Sequence, residues 1–220
     1  MNTSNHLSMD LSKENFIQFV LAEKVLTWGE FTLKSGRRSP YFFNAGLFYQ
    51  GRALMRLGEF YAATLIKHGL PIKHLFGPAY KGLPLATATA IALARQDYDV
   101  AVTFNRKEIK HHGEGGQLMG APLEGAHPIM IDDVITAGTA FRESKALIDH
   151  AGGKLGGVII ALDRQERGLN NTSAIADIQA EGIDVLSIIT LNDLITYLEK
   201  HGEHELLDRM KLYQKQYGVI

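Results

Sequence analysis

Asp132 and Asp133 are the residues whose position most needs a chemical reason. They follow Ile129-Met130-Ile131, an apolar run that reads as a buried strand, and they precede Val134 to Ala140, where small residues and two threonines lead into an amphipathic helix. Two carboxylates at the end of a hydrophobic strand are costly to desolvate, so something must compensate them. Thr136-Ala137-Gly138-Thr139-Ala140 suggests what that is. Residues this small let backbone N–H groups approach a ligand closely, and the bare N–H groups of a helix start bind phosphate. The acids repel that phosphate, so their own partner should be hydroxyl-rich or cationic. A ribose 5-phosphate meets both demands, with its hydroxyls on Asp132 and Asp133 and its phosphate on the loop. The plain alternative is an ordinary strand, loop and helix with two solvated acids at the exit.

The elements that would position this loop follow from the hydrophobic pattern. Phe16, Ile17, Phe19, Val20 and Leu21 predict an amphipathic helix over about 12–26 with Ser12 as N-cap. The stretch 28–46, with its Ser35-Gly36 turn, reads as a hairpin-like unit outside the main sheet. Helices are then expected near 52–68, 83–95, 139–150 and 172–181, with strands near 74–77, 100–104, 128–133, 157–162 and 184–191, and two polar-faced helices at the end. Residues 105–120, with four glycines, read as a loop able to open and close. Strands that are apolar on both faces and separated by helices mean an α/β fold with a parallel sheet covered by helices. In such sheets ligands bind beyond the carboxyl ends of the strands. The polar segments after Phe76, Phe104 and Ile131 converge there.

The chain has 220 residues, 45% of them hydrophobic, enough for one domain with its own core. We expect a single domain over 1–220, with a helix and hood at about 12–50 and a binding core at about 51–220. The 23 basic and 24 acidic residues nearly cancel, which argues against nucleic acid or an anionic membrane as partner. There is no cysteine, so disulfides, thiolate metal sites and cysteine nucleophiles are excluded. The first eleven residues lack the pattern of an export signal, and no apolar run reaches membrane-spanning length. The cytoplasm is the expected compartment. Neither a P-loop nor a GxGxxG occurs in the right context, and HELLD at 204–208 lacks the second histidine of a metalloprotease helix.

Several stretches together resemble a known family. IMIDDVITAGTA at 129–140 is similar to the phosphoribosyl-pyrophosphate (PRPP) motif of type I phosphoribosyltransferases. The segments 31–46 (FTLKSGRRSPYFFNAG), 76–86 (FGPAYKGLPLA), 104–116 (FNRKEIKHHGEGG) and 162–168 (LDRQERG) narrow the resemblance to orotate phosphoribosyltransferases of bacterial type. The resemblance implies that fold, with helices on both faces and a small N-terminal hood. It also implies transfer of the 5-phosphoribosyl group from PRPP to orotate, giving orotidine 5′-monophosphate and pyrophosphate. Lys34, Tyr80 and Lys81 would contact PRPP, and Phe42 and Phe43 would line the orotate pocket through backbone and ring. Arg106, Lys107, Lys110 and His112 would bind pyrophosphate and stabilise the charge growing on it. Asp132, Asp133, Val134, Ile135, Thr136, Ala137, Gly138, Thr139 and Ala140 would hold ribose and 5-phosphate, with Thr136 also near orotate, and Arg164 would pair with the orotate substituents. Mg²⁺, held mainly by substrate oxygens, is the implied cofactor. A homodimer in which residues 105–120 complete the neighbouring site is the implied assembly. Two rival readings are a purine-type phosphoribosyltransferase and a PRPP-sensing regulator without catalysis. The 31–46 segment argues against the first and the near-neutral charge against the second.

Overall fold

The computed structural model describes residues 11–110, 116–168 and 172–219, with the side chains of residues 109 and 110 outside that description. Helix α1 (Lys13–Ala22) starts at Ser12, whose hydroxyl accepts from the Asn15 amide at 3.3 Å. Two antiparallel strands, β1 (Leu26–Thr32) and β2 (Arg38–Phe43), form the hood. The chain then alternates: α2 (Gly51–His68), β3 (His74–Gly77), α3 (Gly82–Ala94), β4 (Ala101–Lys110), β5 (Gly116–Gly120), β6 (Ile129–Asp132), α4 (Thr139–His150), β7 (Gly157–Asp163), α5 (Ala174–Ala180) and β8 (Val185–Thr190). Helices α6 (Leu191–His201) and α7 (His204–Tyr217) close it.

The main sheet has the order β5-β4-β3-β6-β7-β8. β6 lies inside it, parallel to β3 on one side and β7 on the other. A strand so placed is covered on both faces, which is why its residues are continuously apolar. Ile129 and Ile131 join the core cluster under α2, α3 and α6, while Met130 points the other way into the cluster of Phe141, Ile148 and Ile178 beneath α4 and α5. Helices on both faces are therefore as expected.

Two expectations need correction. The strand predicted to end near 104 runs on to Lys110, and β5 returns beside it antiparallel, pairing Phe104 with Met119 and Asn105 with Leu118. Much of the supposed loop at 105–120 is thus a hairpin, and the sheet is parallel except for this edge. The cause is that an edge strand needs no apolar run on both faces, and polar, charged residues are a normal way to finish an edge. The first helix is also shorter than 12–26, because Leu26 already begins β1.

Helices α2 and α3 cross so closely that a Cβ added at Gly58 would lie 2.3 Å from the Ala88 carbonyl oxygen. Alanine at this helical position gains about 1 kcal/mol in propensity. Overpacking against backbone costs about 1–3 kcal/mol or more, so the clash wins. We expect Gly58→Ala to lower the thermal midpoint by roughly 3–8 °C. Calorimetry showing an unchanged or raised midpoint would refute the close approach.

Candidate active site

The sheet order places a topological switch between β3 and β6. From β3 the chain proceeds to β4 on one side, and from β6 it proceeds to β7 on the other. The connections after the two strands therefore diverge and leave a crevice between them, the usual ligand position in such sheets. One wall is Pro78 to Lys81; the other is Asp133 to Gly138.

Lys81 bridges that crevice. Its Nζ donates to Asp133 Oδ2 at 2.6 Å, and the aspartate side chain is only 5% exposed against 51% for the lysine. Asp133 is also fixed through its backbone, since the Ala161 amide donates to its carbonyl at 2.9 Å. Asp132 is held differently. Its Oδ1 accepts from the Asp133 amide at 2.8 Å, and the buried Tyr61 hydroxyl donates to its carbonyl at 2.8 Å. Burial, reinforced by the neighbouring Asp133 charge, pushes the Asp132 carboxyl up to about 7. The two acids are thus unequal: Asp133 is ion-paired directly, and Asp132 makes no ion pair among the described residues.

Beyond the acids, Val134 and Ile135 are half-buried and pack one on each core cluster, so they anchor the loop and can offer a ligand only backbone. Thr136, Ala137, Thr139 and Ala140 are exposed. Gly138 sits in the left-handed region at φ 71°, where a side chain would also meet Arg142 Nη1 at 2.9 Å. It is the N-cap residue of α4, and no side chain caps that helix, so its first amides stay available to an anion. Arg142, which the sequence reading passed over, donates from Nη2 to the Ala137 carbonyl at 2.9 Å and adds a cation beside the loop. Its place one turn into the helix was the available clue.

The other candidates divide. Tyr80 is 67% exposed, and Lys107 Nζ lies 5.1 Å from the centre of its ring. Asn105, also passed over, accepts from the Ala79 amide at 2.7 Å, so two residues on one side of β4 grip the turn that carries Tyr80 and Lys81. Arg106 points the other way and donates to the Gly116 and Leu118 carbonyls. The Lys110 side chain and His112 lie outside the described residues. Lys34 is exposed in the hood turn. Phe42 and Phe43 alternate: Phe43 is buried in the core, so its ring is not available to a ligand, whereas Phe42 is exposed and stacks on Phe31 with ring centres 5.5 Å apart. No hydrogen bond or ion pair among the described residues links Lys34 or Phe42 to the acid pair.

Arg164, one residue past β7, is buried at 6% exposure rather than lying in a surface ion-pair cluster. Its Nε donates to Glu166 Oε1 at 2.6 Å, and its Nη2 reaches Ser39 Oγ and Tyr213 Oη, each at 3.2 Å. It therefore ties the sheet end to the hood and to α7. Among the described residues no group of three or more histidines and acids is placed to hold a metal.

Comparison with known proteins followed this geometry. The model of the phosphoribosyl transferase domain matches residues 45–185. The orotate phosphoribosyltransferase of Legionella pneumophila (strain Paris) is 59% identical over 211 residues, 96% of this chain and 100% of that protein. The orotate phosphoribosyltransferase of Vibrio cholerae is 55% identical over 214 residues, with 96% and 100% covered. The crystal structure of the Francisella tularensis orotate phosphoribosyltransferase superposes with a TM-score of 0.85 at 40% identity, covering 93% of this chain and 99% of that one.

The raised Asp132 carboxyl carries a consequence for stability. The folded chain holds its proton from the ordinary value of 3.8 up to about 7. Stability is therefore fully present below the lower value and is lost as pH rises through the upper one. Asparagine can keep the bond to the Asp133 amide without ionising. At about pH 8, Asp132→Asn should be the more stable form by about 1–3 kcal/mol, a gap that narrows towards about pH 5. Melting curves in which the variant is no more stable than the parent at the higher pH would contradict the burial argument.

Proposed function

The chain belongs to the orotate phosphoribosyltransferases, and from that premise we propose how its residues divide the work. The reaction moves the 5-phosphoribosyl group of PRPP to orotate, releasing pyrophosphate and forming orotidine 5′-monophosphate, a step of pyrimidine synthesis. Bond breaking at the anomeric carbon runs ahead of bond making. The sugar becomes cationic while negative charge grows on the departing pyrophosphate. Orotate already carries a delocalised negative charge, so no protein base is required, and catalysis rests on positioning and charge stabilisation.

The observation that carries this reading is the crevice between Lys81 and the loop 133–138. On this reading the uncapped start of α4 takes the 5-phosphate, with Thr136, Thr139 and the Gly138 turn around it. Asp132 and Asp133 accept the ribose hydroxyls. Lys81, seated on Asp133 at 2.6 Å, supplies a cation to the departing pyrophosphate. Tyr80 and Lys34 join it on the PRPP side. Arg106, Lys107, Lys110 and His112 supply further charge to the leaving group. The base pocket lies under the hood, with the Phe42 ring and Phe43 backbone on one side and Arg164 on the other. Nothing among the described residues favours a purine base or a purely regulatory role.

Mg²⁺ fits the donor set at the end of β6. The Asp132 carboxyl makes no ion pair among the described residues, and a carboxylate oxygen suits a hard cation that keeps most of its other positions for substrate and water. When bound, the ion would neutralise charge on the pyrophosphate oxygens.

We also assign the chain to a homodimer with shared sites. A groove of about 530 Å³ runs between α2 and α3, lined by Leu54, Met55, Ile91, Phe104 and Met119. Met55 and Ile91 are 48% and 59% exposed, and the buried oxygen Oε2 of Glu59 on the groove wall makes no hydrogen bond among the described residues. An apolar groove of this kind suits a second copy of the chain. Because Phe104 and Met119 belong to the base of the β4–β5 hairpin, a copy seated there would lie beside the segment meant to cross into its site. The cytoplasm is the proposed location. It agrees with the lack of cysteine, and no helix among the described residues is long and apolar enough to cross a membrane.

Two experiments test this reading. The purified protein should consume orotidine 5′-monophosphate only when pyrophosphate and Mg²⁺ are present, since the reaction is reversible. Loss without pyrophosphate, or none at all, would reject the assignment. Lys110→Ala should lower turnover by about 10²–10³, and Asp132→Asn should be similarly impaired. If the hairpin serves the neighbouring site, mixing these two weak variants as equal partners should restore about a quarter of parental activity, because only hybrid dimers carry one intact site. No gain on mixing would place the lysine in its own subunit's site.

A further inference from the structure

The network around Arg164 holds more than an orotate contact needs. Three constraints fix the guanidinium. Its Nε edge is taken by Glu166 Oε1 at 2.6 Å, its Nη2 by Ser39 Oγ and Tyr213 Oη, and its face by the Tyr41 ring, whose centre is 4.3 Å away. Nη1 makes no hydrogen bond among the described residues. Glu166 is itself held from two further directions: Tyr213 Oη donates to Oε1 at 2.6 Å, and Arg37 Nη1 from the hood turn donates to Oε2 at 3.0 Å. Its backbone is clamped as well. Gln165 accepts from the Val219 amide at 2.9 Å, and the Arg167 amide donates to Tyr217 at 2.8 Å. Gln165 lies at φ 50°, a conformation that non-glycine residues adopt at some cost and that the surrounding structure must enforce. Asp163, the nearby acid, is engaged elsewhere, accepting from the Gln165 amide at 2.7 Å.

We propose that Glu166 is a positioning residue for orotate: it orients Arg164 before substrate arrives, so that Nη1 alone faces the incoming acceptor. The inference rests on the assignment of Arg164 to orotate. A free arginine loses considerable rotamer freedom when it is fixed by a ligand. Prior fixing by Glu166 and Tyr213 moves that loss into folding and leaves the binding step cheaper. Two guanidinium groups, Arg37 and Arg164, share the Glu166 carboxylate. Arg37 also makes the hood turn part of the device: the strand that carries Phe42 and the guanidinium beneath it are tied to one carboxylate.

A structural staple with no role in binding would show the same bonds, so the test must separate the two. Glu166→Gln keeps the size and an acceptor for Nε while loosening the grip on both cations. We expect its KM for orotate to rise about tenfold, with the KM for PRPP within about twofold and kcat within about threefold, the scale of losing one charged hydrogen bond. Tyr213→Phe, which removes one link and keeps the ring, should raise the orotate KM by about threefold in the same selective manner. Equal rises for both substrates, or an unchanged orotate KM in a variant that melts normally, overturn the proposal. Arg164→Ala is measured beside them. If it weakens orotate while Glu166→Gln does not, the positioning role falls and the assignment of Arg164 stands. If Arg164→Ala leaves orotate binding intact, that assignment falls and takes the proposal with it.

Discussion

The ion pair between Lys81 and Asp133 is the constraint on which the site depends. It spans the crevice between the β3 and β6 exits, where the chain directions diverge. A carboxylate as enclosed as Asp133 costs several kcal/mol to desolvate unless it has a partner. The lysine supplies one at 2.6 Å while keeping half its own surface in water. Asp132, one residue earlier, accepts from an amide but makes no ion pair among the described residues, and its carboxyl is displaced upward to about 7. The strand end thus holds one compensated acid and one uncompensated acid side by side. The uncompensated one is where a ligand with hydroxyls or a bound cation gains most, because it supplies what the fold withholds.

How much of this could be read from residue order depends on the range of the interaction. The β6 strand and the loop after it were legible because their signals are local: a continuous apolar run, two acids, small residues and a helix start all fall within Ile129 to Ala140. The partner of Asp133 was not, since Lys81 lies 52 residues away and meets it only through the order in which β3 and β6 pair. Phe42 and Phe43 are adjacent and chemically alike, and only the pleat of β2 decides that one ring is exposed and the other buried. Arg164 next to Glu166 reads equally well as surface charge or as an enclosed device. Ser39, Tyr41 and Tyr213, drawn from two other elements, decide it.

The hairpin was misread for a different reason. Arg106-Lys107-Glu108 has no apolar periodicity, and glycines follow, so the composition is that of a loop. At the edge of a sheet one side of the strand pairs and the other meets solvent, and polar side chains are tolerated there. β4 is therefore two things in succession. Up to Phe104 it is an inner strand paired with β3, and beyond it a charged ribbon paired only with β5. The change falls at Asn105, whose side chain reaches back to the Ala79 amide. That one residue sets the ribbon's orientation relative to the Tyr80-Lys81 turn.

These anchors differ in kind, and the difference follows the chemistry. The loop after β6 is pinned by apolar side chains, Val134 packed on one core cluster and Ile135 on the other. The Arg164 guanidinium is pinned by a polar network enclosed between hood, sheet and α7, a directional arrangement suited to orienting a planar group. The charged ribbon is tied to the rest of the fold more lightly: Asn105 bonds the Ala79 amide, Lys107 lies over the exposed Tyr80 ring, and strand pairing beyond Phe104 is on a single side. Local stability scales with buried apolar contact, so the ribbon should open at a lower free energy than the hood, whose strands bury Leu26, Tyr41 and Phe43.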